Sequence, residues 1–130
     1  MYIEKKNNAS YNFVAPDIEK DADKKVEFVF PTSELVQPTL SSNAATVEVE
    51  RDKTIIDLGT MEAATTLTLT PGKSLNIGAS VIVKAASDGT ARALTVKKDA
   101  STTVATISGT ASTTKVKQFV WTGTAWIMID

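Results

Sequence analysis

The chain has 130 residues, 22% of them charged, a formal net charge of −1, and neither cysteine nor histidine. Those two absences exclude disulfides, thiolate nucleophiles, cysteine-held zinc and the usual neutral-pH proton shuttle, so the common hydrolase and metal-site chemistries lack their residues. The small net charge hides a division: residues 1–65 hold 12 acidic and 7 basic side chains, whereas residues 66–130 hold 3 and 7. The first half reads as an acidic, solvated or partner-bound arm and the second as a Thr/Ser-rich β domain.

In chain order, MYIEKKNNAS is polar and has no apolar core of a leader behind it. No apolar run approaches the roughly 18 residues of a membrane helix, so a soluble protein made in the cytoplasm, without a membrane partner, is expected. YNFVAP (11–16) is a short apolar patch stopped by Pro16, and DIEKDADKK (17–25) is a charge cluster. Asp17, Glu19, Asp21 and Asp23 alternate like early calcium-loop positions, but the central glycine and terminal glutamate are missing, so no metal is expected. VEFVF (26–30) has strand composition, and TSELVQ between Pro31 and Pro38 reads as a connector. Residues 1–40 therefore read as an extended N-terminal arm and 41–130 as the β domain.

From Thr46 the texture changes. TVEVE (46–50) alternates, Arg51 and Asp52 turn, and KTIIDL (53–58) reads as the return strand of a hairpin. TLTLT (66–70), ASVIVKAA (79–86), RALTVKK (92–98), TVATIS (103–108), TKVKQFVW (114–121) and AWIMI (125–129) follow, separated by Pro, Gly and Asp turn residues. Short strands with no helical segment between them predict an all-β fold: a small antiparallel β-sandwich or jelly-roll-like domain behind the arm.

Gly-Thr-Ala recurs at 89–91, 109–111 and 123–125, each time between strands, where glycine is expected to supply the positive φ of a tight turn. The unequal spacings argue against a fixed-period solenoid. Lys97 and Lys98 are the only adjacent basic pair in the second half, and no basic run carries interleaved aromatics, so no nucleic-acid partner is expected. Glu48, Glu50 and Asp57 fall on the first hairpin and are read as solvated. Nothing brings them into a cleft, so no enzyme and no cofactor are expected.

FVWTGTAW (119–126) makes the final hairpin. A two-residue loop at Gly123 and Thr124 would pair Trp121 with Trp126, Val120 with Ile127, Phe119 with Met128 and Gln118 with Ile129. Phe119, Trp121, Trp126 and Met128 then share one face, whose three aromatics are read as core, or else as a stacking platform for a glycan. Val120, Ile127 and Ile129 share the other, read as an oligomer interface in which the last strand is held.

The stretch from LTLTPGKSLNIG to FVWTGTAWIMID, residues 67–130, resembles the C-terminal β domains of tailed-phage virion proteins, head fibres and capsid-decoration (auxiliary capsid) proteins especially. The resemblance implies a homotrimer located in the virion, with the N-terminal arm gripping the major capsid protein or another virion protein. Tyr11, Phe13 and Val14 are the apolar anchor available for that grip. The alternative it leaves open is a carbohydrate- or receptor-binding module of a tail fibre, with a host surface glycan as partner.

Overall fold

The computed structural model describes residues 33–130, which form nine strands and no helix. The expectations placed on Tyr11, Phe13, Val14 and the acidic run 17–25 lie outside the described residues. The strands are β1 (Ser33–Val36), β2 (Ala44–Val49), β3 (Lys53–Met61), β4 (Thr65–Pro71), β5 (Ser80–Ser87), β6 (Leu94–Asp99), β7 (Thr102–Ile107), β8 (Thr114–Trp121) and β9 (Trp126–Met128). They form a five-stranded sheet, β1-β3-β5-β8-β9, and a four-stranded sheet, β2-β4-β6-β7.

The order corrects the expectation of antiparallel strands. From β1 to β6 the chain alternates between the two sheets, so β1, β3 and β5 run parallel in one and β2, β4 and β6 run parallel in the other. This is a two-sheet coil, closed by an antiparallel end in which β7 returns on β6, β8 on β5 and β9 on β8. The registers Ser33↔Lys53 and Ala44↔Thr66 advance 20 and 22 residues per turn, and Lys53↔Ser80 and Thr65↔Leu94 advance 27 and 29. Loops of unequal length absorb the difference, so the coil leaves no fixed period in the sequence.

The hairpin expected over 46–58 is likewise a corner: β2 and β3 belong to different sheets. The physical reason is burial. Val47 and Val49 share one side of β2, and Ile56 and Leu58 share one side of β3. A hairpin would lay all four side by side on one open face, whereas a corner turns the two strands' apolar sides against each other across the sandwich. Backbone hydrogen bonds then stack one corner on the next. Gly72 N–H donates to the Val49 carbonyl at 2.8 Å and Ser80 N–H to the Asp52 carbonyl at 2.9 Å, while the Asn76 side-chain amide donates to Asp52 Oδ1 at 2.9 Å.

Strict alternation builds the core. Ile56, Leu67, Leu69, Val81, Val83 and Val96 are essentially sealed from solvent, at 0–1% exposure. Between them Thr66, Thr68, Thr70 and Thr95 face outward from the four-stranded sheet and stay partly exposed. Ser33–Val36, within the span read as an arm, forms β1 and pairs in parallel with β3. Among the described residues there is no helix long and apolar enough to cross a membrane.

Candidate interaction surface

The final hairpin has a two-residue loop. Gly123 takes φ +100°, Thr122 N–H donates to the Ala125 carbonyl at 2.9 Å, and the register pairs Trp121 with Trp126, Val120 with Ile127 and Phe119 with Met128. Ile129 N–H donates to the Gln118 carbonyl at 2.8 Å. Phe119, Trp121 and Trp126 point inward at 0%, 8% and 4% exposure. The two indoles pack with ring centroids 5.2 Å apart at a tilt of 54°, the offset geometry that aromatic quadrupoles favour. Their faces are spent on each other and on the core, and neither offers a stacking platform to solvent.

The opposite side of the hairpin is different. Ile127 and Ile129 are 51% and 57% exposed, and Val120 is half-buried. They belong to the outer face of the five-stranded sheet, and the strand registers extend that face across its whole width. One row runs Leu35, Ile55, Ile82 and Gln118, with Ile129 beyond Gln118; the adjacent row runs Ser33, Lys53, Ser80, Val120 and Ile127. On the other flank Asp57, Lys84 and Val116 stand in line. Of the seven large hydrophobics that the described residues expose, five lie on this face: Leu35, Ile55, Val116, Ile127 and Ile129.

The charges bordering the face are few. Lys84 Nζ lies 3.8 Å from Asp57 Oδ2, a loose exposed pair, and Lys53 stands in the row beside Ile55. Sequence reasoning found the β8–β9 part of this surface and missed Leu35, Ile55, Ile82 and Val116. The signal was available: adjacent apolar residues within an alternating strand, Ile55-Ile56 and Val81-Ile82-Val83, put an apolar side chain on each face, as Phe119-Val120-Trp121 does.

The three carboxylates do not all converge. Glu48 and Glu50 border an open cleft of about 370 Å³ with Lys73, Ser74 and Leu75, while Asp57 is on the other sheet. Among the described residues no three acidic side chains come close enough to hold a metal ion. The tightest polar constellation is in the β5–β6 loop, where Arg92 grips Asp88 with two hydrogen bonds, Nε to Oδ1 at 2.8 Å and an Nη to Oδ2 at 2.9 Å. Thr90 N–H adds a third at 3.0 Å. The Arg92 hydrogen bonds first, and the Thr90 amide second, hold the Asp88 carboxyl below the usual aspartate range. That cluster is a loop clamp with every partner inside the loop, and it presents no open position to a substrate.

No family model, curated protein or solved structure matches the chain.

Proposed function

We propose that the chain is a virion structural protein, a head fibre or auxiliary capsid protein that grips a phage shell through its N-terminal arm and displays its β domain as a homotrimer. The single observation carrying this reading is the final hairpin, FVWTGTAWIMID, which buries its aromatics within the sandwich and leaves Ile127 and Ile129 on the outside. Exposed aliphatics on one side of a hairpin whose other side is sealed by a tryptophan pair mark a surface suited to contact. The resemblance of residues 67–130 to virion β domains supplies the class of assembly. The Thr-rich outer surface of the four-stranded sheet suits display, since short hydroxyls are well solvated and add little apolar surface.

In this reading the shell partner is the major capsid protein or another virion protein, and Tyr11, Phe13 and Val14 make the apolar contact. The test is incorporation. Purified particles from the source of this coding sequence should contain the protein in stoichiometric amount by mass spectrometry. A Tyr11→Ser/Phe13→Ser double variant should keep its β-rich circular dichroism and be lost from the particles. Absence of the wild-type chain from virions overturns the function, and full incorporation of the variant overturns the anchor.

A further inference from the structure

The outer face of the five-stranded sheet is wider than the final hairpin requires. Its central row is apolar across three strands, from Leu35 on the edge strand β1, 62% exposed, through Ile55 to Ile82, then meets Gln118 on β8 and reaches Ile129 just past β9. Two tryptophans already seal the hairpin's inner side, so nothing inside the sandwich needs these residues to be apolar. Each exposed aliphatic on such a face is a liability for a lone domain, and a contiguous set of them marks a contact surface.

We propose that a second copy of this chain covers this face, like face against like face, with the β1–β3 edge contributing as much as the β8–β9 hairpin. The inference rests on the homo-oligomeric reading above, extends its contact to the opposite edge of the sheet, and makes the association two-fold in place of three-fold, since like face on like face closes as a dimer.

Three features select this occupant. First, the face offers a charged partner little to read: Asp57 and Lys84 are paired with each other, and Lys53 is the one further charge in the rows described. Second, among the described residues this sheet face carries no aromatic side chain, and the surface that fits an aliphatic sheet face is another one, stacked about 10 Å away as in a sandwich. A patch of this kind is complementary to itself, which symmetric association requires. Third, the area suffices. Five strands about 4.8 Å apart, with about five residues per strand taken on average at about 3.3 Å rise, make a plane roughly 24 by 17 Å. Counted on both copies, with side-chain corrugation, the buried surface is on the order of 1,000 Å², the lower bound for a specific interface.

Sedimentation equilibrium of the full chain tests the proposal, comparing wild type with Leu35→Lys, Ile55→Lys, Ile127→Lys and, on the other sheet, Thr68→Lys. All four positions are at least partly exposed, so circular dichroism should be unchanged. The wild type should assemble. Leu35→Lys and Ile55→Lys should each weaken association by about tenfold or more, as Ile127→Lys does, because each would bury an unpaired ammonium. Thr68→Lys should have no effect. If Ile127→Lys dissociates the assembly while both β1–β3 variants leave it intact, this inference is overturned and the hairpin contact stands. If the wild type is monomeric at high micromolar concentration, both fall. A dimer with the expected sensitivities supports the face and overturns the trimer.

A second measurement covers the case in which Leu35→Lys or Ile55→Lys fails to fold. The chain has no cysteine, so Ile55→Cys introduces a single thiol. Its alkylation should be about tenfold slower in the wild-type background than in the dissociated Ile127→Lys background, because the neighbouring copy blocks access to the thiolate. Equal rates overturn the proposal.

Discussion

Trp126 donates its indole Nε1–H to the backbone carbonyl of Leu69 at 2.9 Å, tying the last strand of the five-stranded sheet to the interior of the four-stranded one. The β4–β6 ladder has its last register pair at Thr68↔Lys97, and the indole bonds to the carbonyl of the next residue along β4. The C-terminal hairpin is therefore a structural pin as well as a surface, and its two sides carry separate duties.

Replacing Trp126 with phenylalanine keeps an aromatic ring in the core and removes the donor. The Leu69 carbonyl then loses this buried partner, at an expected cost of about 1–3 kcal/mol. Trp126→Ala also opens a cavity and should cost about 3–5 kcal/mol in all. Urea unfolding checks both: the midpoint should fall in that order with the slope unchanged. If Trp126→Phe is as stable as wild type, the cross-sheet hydrogen bond contributes nothing.

Thr54 makes the opposite case. Its side chain is sealed on the inner side of β3, at 2% exposure, and its hydroxyl has no hydrogen-bond partner among the described residues. A buried unpaired hydroxyl gives up its water and gains nothing, while valine has the same branched shape without that loss. Thr54→Val should raise stability by about 1 kcal/mol, read as a higher urea midpoint. A fall in stability would mean that the hydroxyl is paired in solution.

Both residues show how far the sequence could be read. The strands from β2 to β9 stand where alternation put them: TLTLT is the centre of β4, and TKVKQFVW is β8 residue for residue. Only SELV was passed over, four residues between prolines being too short to show a period. The pairing was not legible. Alternation suggests antiparallel strands because parallel sheets are usually buried on both faces and read as continuous apolar runs. Here each parallel sheet keeps one face open, so TVEVE and TLTLT look antiparallel although they run side by side in parallel. The wide outer face was half legible: Ile55 and Ile82 carry the same signal as Val120, but their rows come together only once parallel registers are known.

The Asp88–Arg92 clamp gives the β5–β6 loop a pH dependence. The carboxyl of Asp88 is held below its ordinary range, first by the Arg92 hydrogen bonds and then by the Thr90 amide. A folded-state pKa below the unfolded one contributes stability that is present above the unfolded value, about pH 4, and is lost as pH falls through the folded value. Asp88→Asn should therefore be less stable than wild type at neutral pH, and the gap should close as pH drops below about 4. Urea midpoints measured across that range check it. A gap constant down to pH 2.5, roughly a unit and a half below the unfolded pKa, would remove the charge from the explanation.

The three Gly-Thr-Ala sites look identical in sequence and should respond differently to one methyl group. Gly123 alone of the three takes a positive φ, +100°, where alanine pays about 1–2 kcal/mol for the left-handed backbone. Gly109 is not in that region, and its constraint is contact: a Cβ there would run into the Arg92 carbonyl and Ser87 Oγ. That carbonyl is backbone and cannot swing aside. The Ser87 hydroxyl is held in place as acceptor of the Arg92 N–H at 3.1 Å. Overpacking of this kind costs about 1–3 kcal/mol, and a backbone obstacle puts Gly109→Ala at the upper end. Gly89 has neither constraint, since nothing among the described residues lies within 4 Å of its missing Cβ, and Gly89→Ala should stay within about 0.5 kcal/mol of wild type. The expected order of destabilisation is Gly109, then Gly123, then Gly89, measured as urea midpoints. Equal losses at all three would restore the simpler account in which one turn chemistry is used three times, and would place the Ser87–Arg92 loop farther from Gly109 than the structure does.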